Sequence, residues 1–150
     1  PKNRNEALDI LKATAENEIH FLDTADYYGQ DITNKLIAEA LYPYEKDLII
    51  CTKVGAKRGA DKSWNAYDKP ENLRASIENN LKTLKIDQVQ LVHFRVMPES
   101  NTPIEESLNE MYEMQKEGKI LHVGVSNVTE EELKMLLGMK CVMLTEVYKK

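Results

Sequence analysis

Phe21-Leu22-Asp23-Thr24-Ala25-Asp26-Tyr27-Tyr28-Gly29 is the stretch from which the fold of this chain can be read. An apolar run ends in the Asp23 carboxylate, and Tyr28 follows five residues on, just before a glycine. A strand ends this way when it delivers an acid to a site and hands the next loop a phenol. Three later apolar runs close in the same manner, on Lys53, on His93 and on the pair Ser126-Asn127. Successive strand ends that each present a chemical group are the pattern of a parallel barrel.

The intervening segments read as helices. Residues 6–16 carry Ala7, Leu8, Leu11 and Ala15 on one stripe, with Asn5 as the expected N-cap. Ile32, Leu36, Ile37, Ala40 and Leu41 make a second stripe, closed before Pro43. A strand over residues 47–52 is followed by a long polar loop, residues 55–69. Pro70 opens the next helix, with Leu73, Ile77, Leu81 and Leu84 inward. Residues 89–94 form a strand, Thr102-Pro103-Ile104-Glu105 is a capping box, and Gly118 ends the helix it starts. Residues 120–125 form a strand, Thr129 to Glu132 spell a second capping box, and residues 141–147 are the last strand. Met111, Met114, Met135 and Met139 recur at helical intervals and read as core.

Five strands and five helices thus alternate at about thirty residues per unit, the interval βαβ units need. The strands are apolar on both faces, so the sheet is parallel and covered by helices. A doubly wound nucleotide-binding sheet would carry Gly-x-Gly-x-x-Gly after its first strand. Gly55-Ala56-Lys57-Arg58-Gly59 lacks that spacing, and no P-loop is present. The reading is one α/β domain over residues 1–150, about five strand–helix units of a (β/α)8 TIM barrel.

Composition narrows the function classes. The 150 residues are 42% hydrophobic and 30% charged, an ordinary globular balance. The net charge is −5 and basic residues are scattered, which argues against nucleic acid as a partner. No apolar run is long enough to span a membrane, and Pro1-Lys2-Asn3-Arg4 does not open a signal peptide. Cys51 and Cys141 lie in apolar runs, so buried thiols in a reducing cytoplasm are expected, Cys51 being inert. His20 and His122 do not fall beside other ligands at metal spacing, and no metal is expected. The chain opens without methionine and stops at Tyr148-Lys149-Lys150, so it is expected to be a piece of a longer polypeptide.

Singly, Asp23 reads as a cap, Lys53 as a solvated strand-end charge and His93 as a core histidine. Together with Tyr28 they suit carbonyl chemistry. A phenol is a weak acid, with a free pKa of about 10. A nearby ammonium stabilises the phenolate, and a carboxylate beside the ammonium holds it in place. The phenol can then protonate a carbonyl oxygen that the histidine orients. The hydride must come from a nicotinamide cofactor, and Ser126-Asn127 offers a hydroxyl and an amide suited to its carboxamide. Trp64 and Tyr67 either line a substrate pocket or pack on their own scaffold.

Residues 23–29, Thr52-Lys53, Leu91-Val92-His93 and Gly118-Lys119-Ile120-Leu121-His122-Val123-Gly124-Val125-Ser126-Asn127 resemble the signatures of the aldo-keto reductases, in order and over essentially the whole chain. The resemblance implies a (β/α)8 barrel that binds NADP(H) without a Rossmann domain and reduces aldehydes or ketones. It puts the catalytic tetrad on Asp23, Tyr28, Lys53 and His93, and carboxamide contacts on Ser126 and Asn127. By the same alignment the chain holds barrel strands 2 to 6, and a third carboxamide contact, glutamine in the family, falls on the shorter Thr145. The family's usual His-Arg-Pro becomes His93-Phe94-Arg95. Residues 52–59 and the Trp64 segment are similar to the bacterial branch that includes pyridoxal reductases. Some family members, such as potassium-channel β subunits, act chiefly as partners, so a non-catalytic or truncated protein is the alternative.

Overall fold

The computed structural model describes residues 3–137, 143–144 and 147–148. Helix α1 (Arg4–Glu16) comes first, and its N-cap is Asn3, whose side chain accepts from the Glu6 N–H at 2.7 Å. Asn5 was the expected cap. Extended backbone at Asn3 leaves its side-chain oxygen free for that amide, and the helix starts earlier. Strand β1 (Phe21–Asp23), helix α2 (Ile32–Leu41) and strand β2 (Ile49–Arg58) follow.

The expected polar loop over residues 55–69 is instead a hairpin. Strand β3 (Trp64–Tyr67) runs antiparallel to β2, pairing Gly55 with Tyr67 and Arg58 with Trp64. Its turn is held by Asp61, whose carboxylate accepts from the Ser63 amide at 3.0 Å and the Ser63 hydroxyl at 2.6 Å. Polarity hid the strands because their cations lie on rings: Lys57 Nζ is 4.6 Å from the Tyr67 centroid and Arg58 Cζ is 3.9 Å from that of Trp64.

Helix α3 (Pro70–Leu84) begins at the proline, as expected, and leads to β4 (Val89–Arg95). Helix α4 (Ile104–Lys116) lacks the predicted capping box. Pro103 takes the cap position, and the Thr102 hydroxyl instead donates to Asp68 at 3.0 Å, tying this helix to the end of the hairpin. Strand β5 (Ile120–Ser126) and the short β6 (Val128–Thr129) precede α5 (Glu130–Leu137). Here the second capping box does form. The Thr129 amide donates to Glu132 at 2.6 Å, and the Glu132 amide donates to Thr129 at 3.2 Å.

Strands β7 (Met143–Leu144) and β8 (Val147–Tyr148) complete the described elements. The main sheet has the order β1-β2-β4-β5-β7, each neighbouring pair parallel, with β3 attached to β2. Strand β6 pairs with β8. The largest core lies between the sheet and the helices, around Leu73, Ile77, Val92, Phe94, Leu108, Met111 and Met114. Met135 was expected there too but is 40% exposed, because α5 turns Leu136 inward and Met135 sits about 100° away around the helix. Gly138, Met139, Cys141 and Thr145 lie outside the described residues.

Candidate active site

Alternation along the strands sorts the side chains. Leu22, Ile50, Val54, Val92, Phe94, Val123 and Val125 pack in the helix-facing clusters. Their neighbours Asp23, Lys53, His93 and Ser126 therefore share the opposite face, each at or near a strand's C-terminal end.

Asp23 and Lys53 form an ion pair, and Lys53 also donates to the Thr24 carbonyl at 3.3 Å. The same ammonium lies 5.5 Å from the centre of the Tyr28 ring. Tyr28 is 39% exposed, so its ring is open to solvent, whereas the adjacent Tyr27 is buried and meets it edge-on at 5.4 Å. His93 is buried and is the register partner of Lys53 on the next strand. Burial holds its imidazole below the ordinary histidine range, the Lys53 charge adds to this, and Asp23 opposes it. Lys53 thus links the four residues: it is paired with Asp23, lies beside the Tyr28 ring and is in register with His93.

Cys51 lies beneath them, with Sγ 3.6 Å from His93 Nδ1. Burial pushes its thiol up to about 12, helped by Asp23 and opposed by Lys53, the direction that disfavours a reactive thiolate.

Ser126 ends β5, 2% exposed, and its hydroxyl has no hydrogen-bond partner among the described residues. Asn127 follows at φ +63°, a left-handed conformation that asparagine tolerates better than most residues. Thr145, the third expected contact, falls outside the described residues. Among the described residues, the Tyr27 hydroxyl, Arg95 Nε, Ser126 Oγ and one oxygen of Asp26 are buried polar atoms without a hydrogen-bond partner. Water or a bound ligand satisfies such atoms in a folded protein.

Trp64 packs edge-on against Tyr27 at 5.2 Å and lies beside both Arg58 and Arg95, at 3.9 and 5.2 Å. It is part of the rim scaffold. Tyr67 lines a cleft of about 330 Å³ with Asp26, Lys57 and Ser76. Within it the Asp26 carboxyl is pushed up to about 7, chiefly by burial, and Asp31 adds while Ser76 pulls back.

Sequence reading missed three features. Arg95 stands two residues after His93, so strand alternation alone places it on the same face. Asn34 and Asn80 are fully buried. The Asn80 side-chain oxygen accepts from Asn34 at 2.8 Å and from Thr52 at 2.9 Å, while Thr24 donates to Asn34 at 3.0 Å. This network ties the residues next to Asp23 and Lys53 to α2 and α3. Asn80 falls three residues after Ile77 and four before Leu84, which was the available signal. Finally, His20 Nδ1 lies 2.9 Å from Asp47 with Glu45 alongside, an exposed group ahead of β1 and β2 that the linear spacing of its members concealed.

Comparison with known proteins fits this arrangement. The aldo/keto reductase family model matches residues 1–149. The chain belongs to that family. It is 40% identical over 138 residues to pyridoxine 4-dehydrogenase of Escherichia coli, covering 89% of this chain and 48% of the relative. An aldo-keto reductase from Bacillus halodurans in its holo form superposes with a TM-score of 0.84 at 25% identity, covering 96% of this chain and 49% of that one. An aldo-keto reductase from Klebsiella pneumoniae, solved with NADPH, has the same fold, with a TM-score of 0.76 at 21% identity over 97% of this chain and 49% of its own. The chain therefore has the α/β architecture of the family barrel and spans about half the length of these relatives. Among the described residues no helix is long and apolar enough to cross a membrane.

Proposed function

We propose that this chain carries the catalytic face of an NADP(H)-dependent reductase that converts aldehydes or ketones to alcohols, and that it corresponds to barrel strands 2 to 6. The observation that carries the reading is the convergence of Tyr28, Lys53, Asp23 and His93 at neighbouring strand ends. Tyr28 gives its proton to the carbonyl oxygen. Lys53 sets a positive charge beside the phenol as that proton leaves, and Asp23 holds Lys53 in position. His93, neutral through burial, hydrogen-bonds the same oxygen and orients the carbonyl.

The buried hydroxyl of Ser126, without a partner among the described residues, suits the carboxamide of a nicotinamide, with Asn127 and Thr145 as further contacts. Bound there, a nicotinamide cofactor would supply the hydride for the carbonyl carbon, and Tyr28 the proton for its oxygen. Pyridoxal-like aldehydes are the first substrates to test, given the likeness to the Escherichia coli relative. The buried free thiol of Cys51 accords with a reducing, cytoplasmic setting.

Tyr28→Phe tests the reading. Aldehyde turnover should fall by about 10²-fold or more, while NADPH binding, read by nicotinamide fluorescence, stays within about twofold of wild type because the phenol acts on the substrate oxygen and not on the carboxamide. Undiminished turnover in the variant would remove Tyr28 from the chemistry.

A further inference from the structure

Arg95 is the last residue of β4. It shares the helix-free face with His93 and stands roughly 6–7 Å further toward the strand's C-terminal end. Its register partner on β5 is Ser126. The guanidinium is seated on rings, with Cζ 5.2 Å from the Trp64 centroid and 6.0 Å from that of Tyr27. The chain has 25 acidic residues against 20 basic ones, yet none of the described carboxylates pairs with Arg95. Arg74, by contrast, is held by Glu110 and Glu117. An aromatic seat orients a cation without neutralising it and leaves the N–H edge for an acceptor. Arg95 Nε is buried and has no acceptor among the described residues, the neighbouring Tyr27 hydroxyl being the neutral polar group that interacts with this side chain, so the guanidinium charge is left for an anionic acceptor.

We infer that Arg95 determines specificity by gripping an anionic group, carboxylate or phosphate, carried by the carbonyl substrate. The inference rests on the reductase reading and adds the substrate class. His93 and Tyr28 hold the carbonyl oxygen, and Arg95 receives the charge one step further toward the mouth. The planar guanidinium takes either anion through paired N–H bonds.

The test compares aldehydes that differ in charge. 4-Carboxybenzaldehyde is set against 4-methylbenzaldehyde, and pyridoxal 5′-phosphate against pyridoxal, with wild type, Arg95→Met and Arg95→Lys. Wild type should favour the anionic member of at least one pair by about tenfold or more in kcat/KM. The pair that shows the preference names the anion. Arg95→Met should erase it through KM, with the neutral aldehydes and the KM for NADPH changed by less than about twofold, and Arg95→Lys should restore part of it. A readout without cofactor uses Trp64, the single tryptophan of the chain. Titration with 4-carboxybenzyl alcohol should change its emission saturably, 4-methylbenzyl alcohol should not, and Arg95→Met or Trp64→Phe should abolish the response.

Equal losses for charged and neutral substrates in Arg95→Met would overturn the inference, as would the lack of an anionic preference in wild type. No turnover of any aldehyde, with an Arg95-dependent emission change retained, would instead sink the reductase reading and keep the anion grip. If Arg95→Met fails to fold by circular dichroism, the wild-type preference and Arg95→Lys still decide.

Discussion

Gly55 lies against the carbonyl of Arg95: a methyl group at Gly55 would stand 2.5 Å from that oxygen and 2.9 Å from the Phe94 ring. Its φ of +104° is one that residues with a side chain rarely adopt. These two facts explain how β2 can keep beside β4 while also turning into the hairpin. Lys53 and His93 sit two residues below that contact, in register. Gly55→Ala should therefore both strain the backbone and push β4 away, costing about 3 kcal/mol. Urea unfolding measures the loss, and kcat should fall along with it because the Lys53–His93 spacing shifts. A variant of wild-type stability would show that the strands do not meet this closely.

The Asn80 oxygen receives two hydrogen bonds from buried donors, Asn34 and Thr52. Truncation in Asn80→Ala leaves both donors without that acceptor, at a cost of about 2–4 kcal/mol. Thr52→Val removes one of the donors. Added to Asn80→Ala it should cost clearly less than it does in wild type, a coupling that a double-mutant cycle of urea midpoints reads directly. Strict additivity would dissolve the network.

Most of this arrangement was legible because strand ends and helix stripes obey short-range rules. Pro70 and Gly118 punctuate helices whatever surrounds them, and the apolar runs that close on Asp23, Lys53 and His93 mark their own ends. The hairpin was not legible, since Lys57 and Arg58 find their rings only after β3 has folded back. Thr102 could have capped α4 on local grounds, but a tertiary partner, Asp68, took its hydroxyl. Asn80 is a polar residue next to an apolar stripe. Its acceptor role depends on two other segments, and no single window of sequence contains them.

Cys51 supplies a check on how closed the site is. Burial raises its thiol to about 12, so at pH 8 only about one molecule in ten thousand carries the thiolate. Iodoacetamide should label Cys51 at least a hundredfold more slowly in the native protein than in urea, read by peptide mapping so that Cys141 is scored separately. Fast native labelling would mean that this face opens readily to solvent.

Asp26 should make stability depend on pH in a direction opposite to that of a salt-bridged carboxylate. Its carboxyl titrates near 7 in the folded chain against an ordinary value of 3.8, mainly because burial penalises the charge. Between those values the unfolded chain has already released the proton while the folded chain still holds it. Stability is therefore full below about pH 4, declines as pH rises toward 7, and stays reduced above it. Asn at this position has the same shape and no charge to desolvate. Asp26→Asn should match wild type near pH 4 and exceed it at pH 8 by on the order of 3 kcal/mol. Urea midpoints of the two proteins from pH 4 to 8 provide the comparison, with the difference between them isolating this group from the other titrations. Curves that run parallel would mean that Asp26 ionises normally and that the cleft beside Ser76 and Tyr67 is wet enough to solvate it.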